Sequence, residues 1–171
     1  MRSAENISTV SPTVPRGLAK VIPLDQITFP KVTQGLAHWN AVRGDRRFPA
    51  RADIHPSDIK SLLPNVMLLR VLGEGTDYEF KIVGGRTVEE HGFNPLNWRI
   101  GQLDTVVEGY AEFLTGLFAI IRASGNPVAL SGRLHHLDRG YRKYESVYLP
   151  LGTDRVDHIL NVSDYAALAA K

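Results

Sequence analysis

The chain has 171 residues, of which 43% are hydrophobic, 22% charged and 8% aromatic, with a formal net charge of +2 and no cysteine. Compact domains cluster at about 100 to 150 residues, so this length carries one core and leaves no room for a separate catalytic domain. The missing cysteine excludes disulfide scaffolds, Cys-ligated zinc, iron–sulfur clusters, thiolate-ligated haem and a cysteine nucleophile. The near-even charge balance announces neither a nucleic-acid nor a membrane partner.

Residues 1–30 hold four of the ten prolines (Pro12, Pro15, Pro23, Pro30) and read as a flexible arm. No apolar h-region precedes these prolines, so no secretory signal is visible and a cytoplasmic location is the expectation. From Lys31 to Val42 the apolar residues Val32, Leu36, Trp39 and Val42 make one helical stripe, ended at Gly44. A short helix is expected at Pro56, with His55 as N-cap, Asp58 at the third helical position and Pro64 as the stop. Two strand-like runs follow, Val66 to Leu72 and Tyr78 to Val83, joined as a hairpin through Gly73-Glu74-Gly75. In the second run Tyr78, Phe80 and Ile82 alternate with polar neighbours and predict a buried face.

Gly84-Gly85 breaks that strand, and a short helix from Arg86 to His91 ends at Gly92. The clearest helix signal runs from Asp104, a candidate N-cap, to Ala123. Its most apolar stretch, Leu114 to Ile121, is interrupted by Thr115 and Gly116 and falls short of the ~20 residues of a bilayer span. Three further strands are predicted at Val128–Leu137, Tyr144–Leu151 and Val156–Val162. The order predicts an α+β domain, a five-stranded antiparallel sheet with helices on one face, preceded by an N-terminal helix and the arm. The domain plan is an arm at 1–30, an entry helix and Arg/Pro-rich motif at 31–64, and a sheet domain at 65–165.

The stretch Trp39, Arg43-Gly44, Arg47, Pro49, Arg51, Asp53-Ile54, Pro56, Ile59, Leu62-Leu63-Pro64 resembles the entry motif of a proteobacterial PAS-like family, PAS_5. The later Val83-Gly84-Gly85-Arg86-Thr87-Val88-Glu89 and Gly92 resemble the step that follows its second strand. The resemblance covers about residues 36 to 163, with His55 standing where the pattern usually has Asp and Gly85 where Thr is common. Trp39, Pro49, Asp53, Pro56, Pro64 and Gly84 are then structural motif residues. The resemblance implies a PAS-like five-stranded sheet enclosing a small cavity, and a non-enzymatic sensory or signalling module that binds a small ligand or a partner protein. A histidine kinase or regulator acting in trans is the implied partner, with a homodimer through the N-terminal helix. Cysteine-linked chromophores are excluded, while noncovalent haem, flavin or a metabolite remain open as cofactors.

Phe93, Trp98, Tyr110 and Phe113 cluster where a PAS cavity has its wall and are the candidate ligand contacts. Of His38, His55, His91, His135, His136 and His158, His91 is the best candidate haem ligand because it ends a short helix near that wall. Arg43, Arg47 and Arg51 are spaced as in cyclic-dinucleotide binders and are candidate phosphate or partner contacts, against pairing of Arg51 with Asp53 or Arg43 with Asp45. No metal cluster and no catalytic signature is present: there is no G-x-S-x-G elbow, H-E-x-x-H helix or P-loop. The competing class is a curved-sheet, ketosteroid-isomerase-like enzyme, which would need a buried acid–base pair facing the sheet.

Overall fold

The structure, a computed structural model, describes residues 19–134 and 139–168. Residues 1–18 of the expected arm, His135, His136 and Asp138 lie outside them. One antiparallel sheet is built from β1 (Lys20–Ile22), β2 (Val66–Leu72), β3 (Asp77–Val83), β4 (Val128–Leu134), β5 (Arg139–Gly152) and β6 (Val156–Ala167), in the spatial order β1-β4-β5-β6-β2-β3. The sheet therefore has six strands, not five. The sixth comes from the expected arm: Lys20, Val21 and Ile22 pair with Ser131, Leu130 and Ala129 along the free edge of β4. Helix α1 (Pro30–Arg43) lies between β1 and β2 in the chain, and α2 (Gly85–His91) and α3 (Tyr110–Ser124) connect β3 to β4.

Alternation along the strands assigns two faces. Tyr144, Ser146 and Tyr148 of β5 share a surface with Ser163 of β6, and Tyr110 and Phe113 of α3 close over it. Their sequence neighbours Glu145, Val147 and Leu149 point the other way, to α1. There a Cβ on Gly35 would come within 2.8 Å of Val162, so a glycine is needed where the helix lies flat on β6. The N-terminus of α1 is held by two paired strand carboxylates. Glu145 accepts the amides of Thr28 (2.9 Å) and Phe29 (2.8 Å) and the Thr28 hydroxyl (2.9 Å), and Asp164 accepts the amide of Lys31 (3.3 Å). Such oxygens satisfy donors that a helix start leaves without a partner. The apolar stripe of α1 is thus spent on its own sheet, with Val32 and Trp39 buried.

The pairing of β4 with β5 reaches only to Val128 and Tyr148, so the last residues of β5 have a free side. Pro150 sits in this stretch, where the amide it lacks is not needed by a neighbouring strand. Its carbonyl accepts the Trp39 indole N–H (2.9 Å), and the Gly152 amide donates to the carbonyl of Pro49 (2.9 Å). Trp39 and Pro49 of the entry motif therefore complete the edge of β5.

β5 begins at Arg139 and β6 runs on to Ala167, both longer than the sequence reading, and three further features differ from it. The pairing of β2 with β3 shifts between Leu68 and Leu69, whose partners are Ile82 and Phe80. The extra residue, Lys81, turns Ile82 off the face of Tyr78 and Phe80 and leaves it 38% exposed. Residues Ile100–Thr105 form a separate 3-10 turn, and α3 starts at Tyr110 after Gly109 in the left-handed region (φ 81°). Asp104 still caps the helix, its carboxylate accepting the Ala111 amide at 3.0 Å from that preceding turn. Pro64 does not stop a helix but opens a second 3-10 turn, Leu63–Asn65. Pro56 and His55 are placed as expected, although the His55 side chain makes no capping bond.

The chain leaving β3 crosses this second turn at Gly84. A Cβ there would lie 2.4 Å from the Pro64 carbonyl oxygen and 2.5 Å from that of Leu63, while the Gly84 amide donates to Val66 O at 2.7 Å. Gly85, next to it, has open space around its Cβ direction and begins α2. Gly84→Ala is therefore expected to lower unfolding stability by about 2 kcal/mol or more, whereas Gly85→Ala raises it by about 0.5 kcal/mol. Urea unfolding of the two variants checks this, and equal effects would contradict the crossing.

Candidate functional site

The space between α2, α3 and the sheet contains two adjoining hollows of about 20 Å³ each, which share Met67, His91 and Tyr110. Each has room for about one water molecule. The first is lined by Phe113, Leu130 and Leu134 and by the polar groups of Tyr144, Tyr148, Ser146 and Ser163. The second is lined by Phe80, Phe93, Pro95, Leu103 and Leu114 with Thr87.

Of the four aromatic residues expected at the cavity, Phe93, Tyr110 and Phe113 line these hollows. Trp98 does not; its ring stacks behind Phe93 with centroids 5.7 Å apart, and its backbone pairs with Phe80 on the outer edge of β3. Tyr144, Tyr148, Ser146 and Ser163, which with His91 and Tyr110 make the site polar, were not singled out in the sequence. Tyr144, Ser146 and Tyr148 stand at alternate positions of one strand, a period-2 signal that marks a shared face. The Ser146 and Ser163 hydroxyls are 2.6 Å apart, and Ser163 donates to Asn161 Oδ1 (2.9 Å), which leaves Ser146 donating to Ser163. Both serine hydrogens are thereby used, so these hydroxyls offer lone pairs to an occupant.

Burial pushes the phenols of Tyr110, Tyr144, Tyr148 and Tyr165 up from their ordinary value, that of Tyr110 to about 12. For Tyr144, Tyr148 and Tyr165 the neighbouring phenols add to the rise. All four remain protonated at neutral pH. His91 Nε2 lies 3.0 Å from the Tyr165 hydroxyl. Beside it, buried Glu90 of α2 receives Arg142 of β5 through Nε to Oε2 (3.0 Å) and Nη2 to Oε1 (2.6 Å), and Arg86 Nη2 at 2.7 Å from Oε1. This α2-to-sheet ion pair joins residues 52 apart in sequence, and no local pattern announces it.

Haem and flavin do not fit this arrangement. Ligand sites for such molecules span about 300 Å³ or more, and His91, the one imidazole on the wall among the described residues, already faces a tyrosine hydroxyl. Among the described residues no His/Asp/Glu cluster with metal-binding geometry is present, and no carboxylate lines either hollow. The described residues therefore do not assemble, at these hollows, the acid–base pair that a curved-sheet enzyme needs.

Arg43, Arg47 and Arg51 do not converge. Each reaches a different backbone carbonyl: Arg43 that of Arg46 (3.1 Å), Arg47 that of Ser124 (3.3 Å) and Arg51 that of Ile54 (3.4 Å). The expected pairing of Asp53 with Arg51 gives way to Arg46, whose Nη1 is 2.6 Å from Asp53 Oδ2. That guanidinium and the Ala50 amide hold the Asp53 carboxyl below its usual range. Arg46 and Arg47 flank an open groove that also contains Asp154, a like charge to any phosphate.

A PAS-domain family model, PAS_5, matches residues 28–159. The chain belongs to this family, and as a PAS domain it is of a general sensory and signalling type. No curated protein and no solved structure matches it. Among the described residues no helix is long and apolar enough to cross a membrane.

The raised phenols set a pH dependence. In the unfolded chain these tyrosines ionise near their ordinary value of 10.0, while in the fold they keep their protons to higher pH. The stability they contribute is complete below that value and falls above it, by about 1.4 kcal/mol per pH unit for each tyrosine. Urea midpoints measured from about pH 8 to pH 11 are expected to be flat in this contribution and then to drop. Native phenolate absorbance rising for all six tyrosines together near pH 10 would contradict it.

Proposed function

We propose that this PAS domain is a non-enzymatic sensory module whose ligand is a small hydrogen-bonding molecule held between α2, α3 and the sheet, with its output passed in trans to a partner protein. One observation carries the reading. His91, Tyr110, Tyr144, Tyr148, Ser146 and Ser163 converge on one hollow, beside the apolar side chains of Met67, Phe113, Leu130 and Leu134. Polar groups in a core cost free energy unless they are paired, and a core that only had to be stable would fill this space with aliphatic side chains. The protonated Tyr148 phenol supplies a donor and the serine pair supplies acceptors, so an occupant with both a carbonyl-type oxygen and a hydroxyl or amine finds partners. Apolar walls from Phe113, Leu130 and Leu134 hold its body.

Native mass spectrometry of the purified protein is expected to show a noncovalently held small molecule. Ser146→Leu, which extends an apolar side chain into the hollow, is expected to lower its occupancy about tenfold. Bare-chain mass, together with a Tm unchanged by millimolar phenol, butyramide, benzamide, butyrate or benzoate, would overturn the reading.

A further inference from the structure

We propose that the Arg142–Glu90 ion pair is a carboxylate-exchange site: a small monocarboxylate entering the hollow replaces Glu90 on Arg142 and so releases α2 from the sheet. The inference rests on the ligand-binding reading above and names its ligand class.

The geometry is that of a carboxylate receptor already holding a carboxylate. Arg142 meets both oxygens of Glu90 with two parallel donors, at 3.0 and 2.6 Å, the fork with which a guanidinium grips any carboxylate. Removing one partner of a buried ion pair normally strands the other charge at a large cost. Here the displaced Glu90 keeps Arg86, four residues back on the same helix and 2.7 Å away, and Arg142 keeps the incoming anion. Neither charge is stranded by the exchange.

Register places the receptor at the hollow. Arg142 lies on the face of β5 that carries Tyr144, Ser146 and Tyr148, and His91, next to Glu90, lines both hollows. Arg142 and Glu90 lie just outside the lining, one strand position before Tyr144 on that face and one residue before His91, while Met67, Phe113, Leu130 and Leu134 form the apolar wall for the body of the acid. A neutral amide of the same shape has no charge with which to compete against Glu90.

Volume supplies the conformational consequence. Hollows of about 20 Å³ admit more than water only if a wall moves. Helix α2 has seven residues, starts where Gly84 is wedged on the Leu63 and Pro64 carbonyls, and ends at Gly92 in the left-handed region (φ 82°). Its start is fixed by backbone contact, whereas its end is held by the ion pair at Glu90, which a ligand can exchange, and by the contact of His91 with the Tyr165 hydroxyl.

The test is calorimetry on the full chain with butyrate and benzoate against butyramide and benzamide, for wild type, Arg142→Gln and Glu90→Gln. Acids are expected to bind wild type at least about tenfold more tightly than amides, and Arg142→Gln to lose about that factor. Glu90→Gln weakens the internal competitor and is expected to bind the acids about fivefold more tightly. Amide hydrogen exchange over residues 85–91 should accelerate when the acids are added, an effect that a purely structural ion pair would not give. Amides binding as well as acids, or acid affinity unchanged in Glu90→Gln, would overturn the exchange. If Arg142→Gln does not fold, Glu90→Gln alone decides. Binding of the amides alone would end this inference and leave the ligand-binding reading standing, while binding of neither series ends this inference and, with a bare-chain mass and no response to phenol, ends both.

Discussion

The wall of the hollow is positioned by a backbone contact. Where the chain leaves β3, Gly84 lies against the carbonyls of Leu63 and Pro64 with no space for a Cβ, and its amide binds Val66 O. The turn it rests on leads directly into β2, the strand that pairs with β3. Two segments that enter and leave one hairpin thereby lock each other, and the first residue of α2 is set before any side chain of that helix is considered. The depth at which Thr87, Glu90 and His91 sit over the sheet follows from this crossing.

Elements whose signals are local were legible in the sequence. Val66–Leu72 and its hairpin partner, the helix ended by Gly92 and the proline-led turn at Pro56 all follow from propensity and turn chemistry within a few residues. Ile82 misled because a bulge inserts Lys81 and reverses the alternation, and nothing in the run of apolar residues marks that insertion. β1 was hidden because three residues become a strand only when the edge of β4 is available to pair with them. The site divides in the same way. Phe93, Tyr110 and Phe113 were found as bulky residues near the expected wall. Tyr144, Ser146 and Tyr148 carried a readable period-2 pattern, while Glu90 and Arg142 meet only through the fold. The arginine spacing of Arg43, Arg47 and Arg51 was real as a pattern, yet the chain turns between them and sends each guanidinium to a different carbonyl.

The two faces of the sheet are connected through single strands. Tyr144 belongs to the hollow, and the next residue, Glu145, holds the amides of Thr28 and Phe29 at the start of α1. Ser163 and Asp164 repeat the arrangement on β6, with Asp164 on the Lys31 amide. A displacement of either strand on the cavity side necessarily carries the carboxylates that anchor α1. Because these bonds run from charged oxygens to backbone donors, they are directional, and a shift of the anchor redirects the helix start rather than sliding beneath it.

The free side of β5 beyond Tyr148 has a consequence for assembly. An unpaired stretch in the middle of a sheet would ordinarily recruit a strand from another molecule. Here the position that would offer an amide is Pro150, its carbonyl is taken by the Trp39 indole, and the Gly152 amide is taken by Pro49. The entry motif thus acts as a built-in stopper against edge-to-edge aggregation. A chain that lost Trp39 would be expected to fail first by self-association at this end of the sheet, before its core had melted.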